Sequence, residues 1–275
     1  MPPTPRHEAP PRREAEPGRE RSGARPAARP VVLVTGASSG IGEAVSDRFA
    51  ADGRCRLLLG GRDEARLAAV ARRTGGGALR SDLGERAGVE RLAAEALERE
   101  GRVDVLVAAA GIGWAGPFTH MPGDAVDRLI SLNLTSVIHL VRLLLPGMVE
   151  RNRGRVVMIG SMAGRVGVGN EAVYAATKGG MLAFADSLRY ELAGTRVGVT
   201  VVLPGAVETP FFSRRGVPYH RDHPRPVSPE RVAEVVWRAA VRGRDDVFVP
   251  SWLGMPARLH GAVPGFFRAM AKRFG

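Results

Sequence analysis

Cysteine is nearly missing: Cys55 stands alone in 275 residues, which excludes an internal disulfide. No stretch approaches the roughly 18 uninterrupted apolar residues that a spanning helix needs. The N-terminus has no apolar segment of the kind a secretion signal carries. These two absences predict a soluble, cytoplasmic protein. Aromatic residues make up only 5%, and no stacked aromatics accompany the charge, so the net charge of +12 does not read as a nucleic-acid surface. Lysine is the scarcest cation. Of 40 basic residues only Lys178 and Lys272 are lysines; the rest are arginines. An interior lysine in such a chain merits attention, because the two cations are not chemically interchangeable.

What is present is enough apolar sequence, 44%, to bury a sizeable core in one α/β domain. The positive charge gathers at the ends. Residues 1–30 hold seven Arg against four Glu, and residues 251–275 hold Arg258, Arg268, Lys272 and Arg273 with no acid. Residues 1–29, rich in Pro, Arg, Glu and Ala, are predicted to be a disordered tail.

The ordered part begins at Val31–Val34, a β-branched run that reads as a buried strand. Strands are predicted at Arg56–Gly60, Val103–Ala109, Arg155–Ile159, Val197–Leu203 and Asp246–Val249, and Leu79 precedes a turn at Ser81-Asp82. Helices are predicted from the Gly-rich turn to about Ala51, then at Asp63–Arg73, Glu85–Glu100, Asp124–Glu150, Tyr174–Leu192 and Pro229–Arg242. Asp63 and Ser228 are the expected N-caps, with Pro229 at the first helical position. Alternating helices and strands, the strands apolar on both faces, predict a parallel sheet covered by helices on both sides. In such sheets ligands bind beyond the carboxyl ends of the strands, near the switch point.

The first strand runs into Thr35-Gly36-Ala37-Ser38-Ser39-Gly40-Ile41-Gly42. Gly36 permits a tight turn, Gly40 lets backbone approach a pyrophosphate, and Gly42 lets the helix pack on the strand. The following helix N-terminus offers N–H groups and a positive dipole end. A structural turn is the plain alternative; the position between first strand and first helix favours a dinucleotide site. The second strand ends at Gly60-Gly61-Arg62, with Gly61 where an acidic residue would hold the ribose of NAD. Arg62 suits a 2′-phosphate, so NADP(H) is the expected cofactor, with NAD(H) possible, unless Arg62 is one more surface arginine.

Tyr174 and Lys178 are four apart at the start of a predicted helix and share one face. An unperturbed phenol titrates near 10, and a neighbouring ammonium pulls that down. With so few lysines and tyrosines, a chance Tyr-x-x-x-Lys is expected only about 2% of the time. Ser161 follows a predicted strand, where its hydroxyl can meet a substrate oxygen, and Asn133 lies in the long helical region.

In these motifs, with Asp82-Leu83, Pro204-Gly205 and Thr209, the chain resembles the single-domain short-chain dehydrogenases/reductases over about residues 30–250. The resemblance implies a doubly wound (Rossmann), mostly parallel, seven-stranded α/β sheet, and an NADPH-dependent oxidoreductase working between carbonyl and alcohol. It implies Tyr174 as general acid or base and Lys178 as the residue that lowers its pKa and binds the nicotinamide ribose. Ser161 would hold the substrate oxygen, and Asn133 a water relay. Asp82, with Leu83, would meet the adenine, and Pro204, Gly205, Val207 and Thr209 would lie against the nicotinamide. The family's usual Asn-Asn-Ala-Gly is here Ala108-Ala109-Ala110-Gly111, which keeps Gly111 for backbone approach and loses the supporting Asn side chains.

A non-catalytic NADP(H)-binding regulator on the same fold is the alternative; an intact proton relay argues against it. His220, Asp222 and His223 read as surface residues of a substrate lid, not a metal site, since no further ligands converge. Phe211 and Phe212 are candidates for an apolar substrate pocket, hinting at a lipophilic carbonyl or alcohol. Residues 251–275 are read as a substrate-cover or interface segment, with membrane-surface contact through 250–271 not favoured. The apolar helices near 124–150 and 174–192 are, by the resemblance, the faces of a homodimer or homotetramer, or else plain core faces.

Overall fold

The structure is a computed structural model that describes residues 29–219 and 224–265. The predicted disordered tail, the 220–223 histidines and the last part of the C-terminal segment therefore lie outside the described residues.

Seven strands form one sheet in which every pairing is parallel. They are β1 (Val31–Thr35), β2 (Arg56–Gly61), β3 (Gly77–Arg80), β4 (Val105–Ala108), β5 (Gly154–Ile159), β6 (Val197–Pro204) and β7 (Asp246–Val249). Their order, β3-β2-β1-β4-β5-β6-β7, reverses direction between β1 and β4, which makes the C-terminal edge of that pair the switch point. The helices are α1 (Gly40–Asp52), α2 (Glu64–Thr74), α3 (Arg86–Glu100), α4 (Gly123–Ile130), α5 (Ser136–Glu150), α6 (Ala163–Val166), α7 (Ala172–Glu191), α8 (Phe211–Arg214), α9 (Pro229–Arg242) and α10 (Gly254–Ala262).

Alternation along each strand builds two cores. Leu33, Leu58, Leu106, Val156 and Val201 face one side, under α3, α5 and α7. Val32, Val34, Leu59, Val107, Val157 and Val202 face the other, under α1, α2 and α9. Strands buried on both faces need no polar alternation, and this is why they read as continuous apolar runs.

β3 is the element the residue pattern understates. It begins in a triple glycine and contributes one fully buried side chain, Leu79, so its strand character comes from pairing with β2. The long helical region is continuous from Gly123 to Glu150, but Ser131–Thr135 forms a π turn. By length and composition this run could cross a membrane; here Val137, Leu140, Val141, Leu144 and Met148 pack into the core. A π turn widens the helix locally and commonly marks a functional position; Asn133 sits at its centre, fully buried. Both expected caps form: Asp63 accepts from the Arg66 amide at 3.1 Å and Ser228 from the Arg231 amide at 3.3 Å.

One buried carboxylate fixes where the sheet starts. Asp104, just before β4, accepts from the Val31 amide at 2.8 Å and from Arg102 at 2.9 Å. Removing it leaves a buried N–H without its partner, a cost of about 1–3 kcal/mol. Asp104→Ala is accordingly expected to lower unfolding free energy by about 2 kcal/mol in a urea titration, with Asp104→Asn losing less because its carbonyl still accepts.

Candidate active site

Beyond the C-terminal strand edge lies a cleft of about 1030 Å³. Its floor is the turn after β1. Gly36 and Gly40 have φ of +67° and +58°, a backbone region that L side chains rarely adopt. A Cβ on Gly36 would stand 2.8 Å from the Ala110 backbone, and one on Gly40 would stand 3.2 Å from Thr209. Gly42 lies behind the cleft, where a Cβ would meet the Gly36 carbonyl at 2.2 Å; this is the helix-to-strand packing its position predicts. Ser38, Ser39 and Ile41 line the cleft beside the α1 N-terminus. The opposite wall includes Pro204, Gly205, Val207 and Thr209, all past the end of β6 or in its last residue.

Ser161, Tyr174 and Lys178 meet in this cleft. Helix α7 places Tyr174 and Lys178 on one face, both buried, with the ammonium 5.9 Å from the centre of the phenol ring. Lys178 donates to the Ile159 carbonyl at 2.7 Å, which ties α7 to the end of β5. Burial pushes the Lys178 ammonium down to about 8. Burial also pushes the Tyr174 phenol up to about 12, while the Ser161 hydroxyl works in the opposite direction. The expectation that Lys178 draws the phenol below its ordinary value is not met in the protein alone. Desolvation of the buried phenol outweighs the favourable neighbours. Ser161 itself accepts from the Ala163 amide at 3.1 Å, so its proton is left to donate.

Asn133 does not line the cleft. It clamps the loop after β4, accepting from the Ile112 amide and donating to the Ile112 carbonyl, each at 2.9 Å, and reaches Thr177 at 3.4 Å. This holds Gly111 against the site: a Cβ there would lie 3.3 Å from the Asn133 amide oxygen and 3.8 Å from Lys178 Nζ. The loop that begins at Ala109 is held from β1. Thr35 Oγ1 accepts from the amides of Ala109 and Ala110 at 3.1 and 3.2 Å, binding the two sides of the switch point together.

Arg62 lines the cleft, 3.7 Å from Asp82, with most of its side chain exposed. Asp82 accepts from the Gly84 amide at 2.9 Å and stands outside the cleft lining, and the side chain of Leu83 belongs to the core. Arg66 lines the cleft beside Arg62.

Phe211 packs on Tyr174 with ring centres 5.5 Å apart, and Phe212 meets it edge-on. A Cβ on Gly113 would touch the Phe211 ring at 2.6 Å, so that glycine is what lets the ring close against the β4 loop. Leu253, just before α10, stands in the wall against Gly205. Sequence reasoning overlooked a largely buried ion pair here, Arg215 with Glu171, which joins the end of α8 to the start of α7. Glu171 lies three residues before Tyr174, a spacing that signals a shared face; nothing in the sequence marks Arg215 as its partner. A second hollow, about 400 Å³, lies at the N-terminal strand ends beside Cys55, whose thiol burial pushes up.

Comparison with known proteins agrees with this geometry. The profile of the short chain dehydrogenase family matches residues 30–217. A putative ketoacyl reductase of the granaticin polyketide synthase from Streptomyces violaceoruber is 38% identical over 195 residues, covering 68% of this chain and 71% of that protein. A short-chain dehydrogenase from Sphingobium yanoikuyae, solved with NADPH, superposes with a TM-score of 0.74 at 30% identity, covering 89% of this chain and 94% of the other. One from Burkholderia phymatum, solved with NAD, gives 0.76 at 25% identity, covering 86% and 94%. With its all-parallel sheet, its glycine-floored cleft and the meeting of Ser161, Tyr174 and Lys178, the chain belongs to the short-chain dehydrogenase family of NAD(P)-dependent oxidoreductases.

Proposed function

We propose that this oxidoreductase interconverts a lipophilic carbonyl compound and its secondary alcohol with NADP(H), Tyr174 transferring the proton. The observation that carries the reading is Tyr174 lying beside Ser161 in a cleft walled by Phe211 and Phe212, with Lys178 buried behind it. The residues fit a dinucleotide. Side chains at Gly36 and Gly111 would crowd the site, and the cleft has the volume for cofactor and substrate together. The nicotinamide, when bound, supplies or accepts the hydride. Gly36, Ser38, Ser39, Gly40 and Ile41 would hold its phosphates at the α1 N-terminus, and Gly111, Pro204, Gly205, Val207 and Thr209 its nicotinamide end.

The remaining chemistry belongs to side chains. A phenol held at about 12 is protonated throughout the neutral range, so Tyr174 stands ready as a proton donor to a carbonyl oxygen. Ser161 would hold that oxygen and stabilise its developing charge. The Lys178 ammonium stabilises the phenolate that proton transfer leaves. Asn133 positions the loop carrying Gly111 and Ile112. Reduction is supported where Tyr174 and Lys178 are both protonated, below about 8, and weakens as Lys178 loses its proton. Oxidation needs the phenolate and gains with rising pH.

NADP(H) preference is supported by Arg62 and Arg66 at the cleft and by Gly61 where NAD-specific sites carry an acid. The Sphingobium neighbour solved with NADPH supports it further.

Tyr174→Phe is expected to lower kcat for carbonyl reduction by about 10²–10⁴ and to leave NADPH affinity within a few-fold; a variant that stays largely active rules the mechanism out. Lys178→Arg is expected to fail as well, since a planar guanidinium does not reproduce the compact ammonium that donates to the Ile159 carbonyl. The wild-type pH profile of reductive kcat should descend near 8. Arg62→Ala should shift the ratio of NADPH to NADH in kcat/KM by about tenfold toward NADH; wild-type turnover with NADH equal to that with NADPH would contradict the preference itself.

A further inference from the structure

Four arginines line the cleft: Arg62, Arg66, Arg214 and Arg215. Three have a carboxylate partner. Arg62 faces Asp82, Arg66 faces Asp63, and Arg215 pairs with Glu171. Among the described residues Arg214 has no carboxylate within ion-pair distance; its guanidinium donates instead to the neutral hydroxyl of Ser39 at 3.2 Å. The two residues are 175 positions apart, one on the substrate wall and the other in the Gly-rich turn.

Ser39 leaves its own helix without a side-chain cap. It occupies the N-cap position of α1, where a serine ordinarily accepts from an amide of the first turn. Its side chain makes no such bond, and its backbone is extended. The hydroxyl is turned toward Arg214, and the first-turn amides of α1 are left without a side-chain acceptor at the place where anions bind helices. The position of Arg214 is not arbitrary. The next residue, Arg215, is locked to Glu171, and Phe211, three residues earlier, is wedged between Gly113 and Tyr174.

We propose that Arg214 is a cofactor-binding residue supplied by the substrate wall: its guanidinium exchanges the Ser39 hydroxyl for a phosphate of the bound dinucleotide. The inference rests on the NADP(H) reading above and adds a phosphate ligand from the segment after β6. A planar guanidinium forms paired, charge-assisted bonds to phosphate oxygens that a hydroxyl cannot match. Because Arg214 is continuous with Phe211 and Arg215, the grip also fixes the wall that faces the substrate.

The test is isothermal titration of NADPH and of NADH, without substrate, into wild type, Arg214→Ala, Arg214→Lys and Arg91→Ala, the last removing an exposed charge on α3 as a control for long-range field. Arg214→Ala is expected to weaken NADPH binding by about tenfold or more, Arg214→Lys to recover part of the loss, and Arg91→Ala to bind as wild type. Equal losses for both dinucleotides assign the contact to the pyrophosphate, and a loss confined to NADPH assigns it to the 2′-phosphate; either supports the proposal. If wild type binds NADPH and Arg214→Ala binds both dinucleotides within twofold of it, Arg214 is not a phosphate ligand. A loss of the same size in Arg91→Ala would reduce the effect to net charge and overturn the proposal equally. Wild type that binds neither dinucleotide would remove the cofactor reading, and this inference with it.

Discussion

The bond from Lys178 to the Ile159 carbonyl is the constraint on which the site depends. It is a buried cation held by a single backbone dipole, and it joins α7 to the end of β5. Burying an ammonium is unfavourable, and its depressed pKa records that cost. The arrangement sits between closely packed elements. α7 packs against α6 so closely that a Cβ on Gly164 would fall 2.6 Å from the Lys178 backbone. Ser161 lies two residues after Ile159, so the same bond that anchors the lysine sets the distance between the serine and the phenol.

A second set of bonds ties the cofactor side of the cleft to the proton side. Thr35 carries the end of β1 to the loop after β4, and Asn133 carries that loop to the π turn and, through Thr177, to α7. The Thr35 bonds and the Asn133 bonds to Ile112 are side chains satisfying backbone groups beyond a strand end, where no ladder partner is available. The alanines at 108 and 109 therefore do not leave the switch point unsupported. The hydroxyl that supports it belongs to Thr35, the residue that opens the Gly-rich turn on the neighbouring strand.

Much of this was legible in the chain. Apolar runs such as Val31–Val34 and Val156–Ile159 read as buried strands because both faces are covered. The Gly36, Gly40 and Gly42 spacing is local, and local geometry follows from sequence. Tyr174 and Lys178 are one helical turn apart, so their meeting needed only the helix. β3 was faint because three glycines and one leucine carry no alternation, and its identity lies in the pairing with β2. Glu171 with Arg215 and Ser39 with Arg214 were invisible for the same reason: their partners come together only when the chain after β6 folds back across the cleft. The raised phenol pKa was illegible too, since the enclosure of Tyr174 is a property of the assembled walls.

The close fit of Phe211 against Gly113 divides the enzyme into parts with different freedom to change. Ser161, Tyr174 and Lys178 are carried by the end of β5 and by α7, whose packing leaves little room for substitution. The Phe211 ring is carried by a four-residue helical turn, held in place by its contacts with Tyr174 and Phe212 and by the ion pair of Arg215 with Glu171. Drift in that turn can alter which molecules are accepted while the reacting groups stay as they are. A lineage built on this fold can thus acquire new substrates without reinventing its acid.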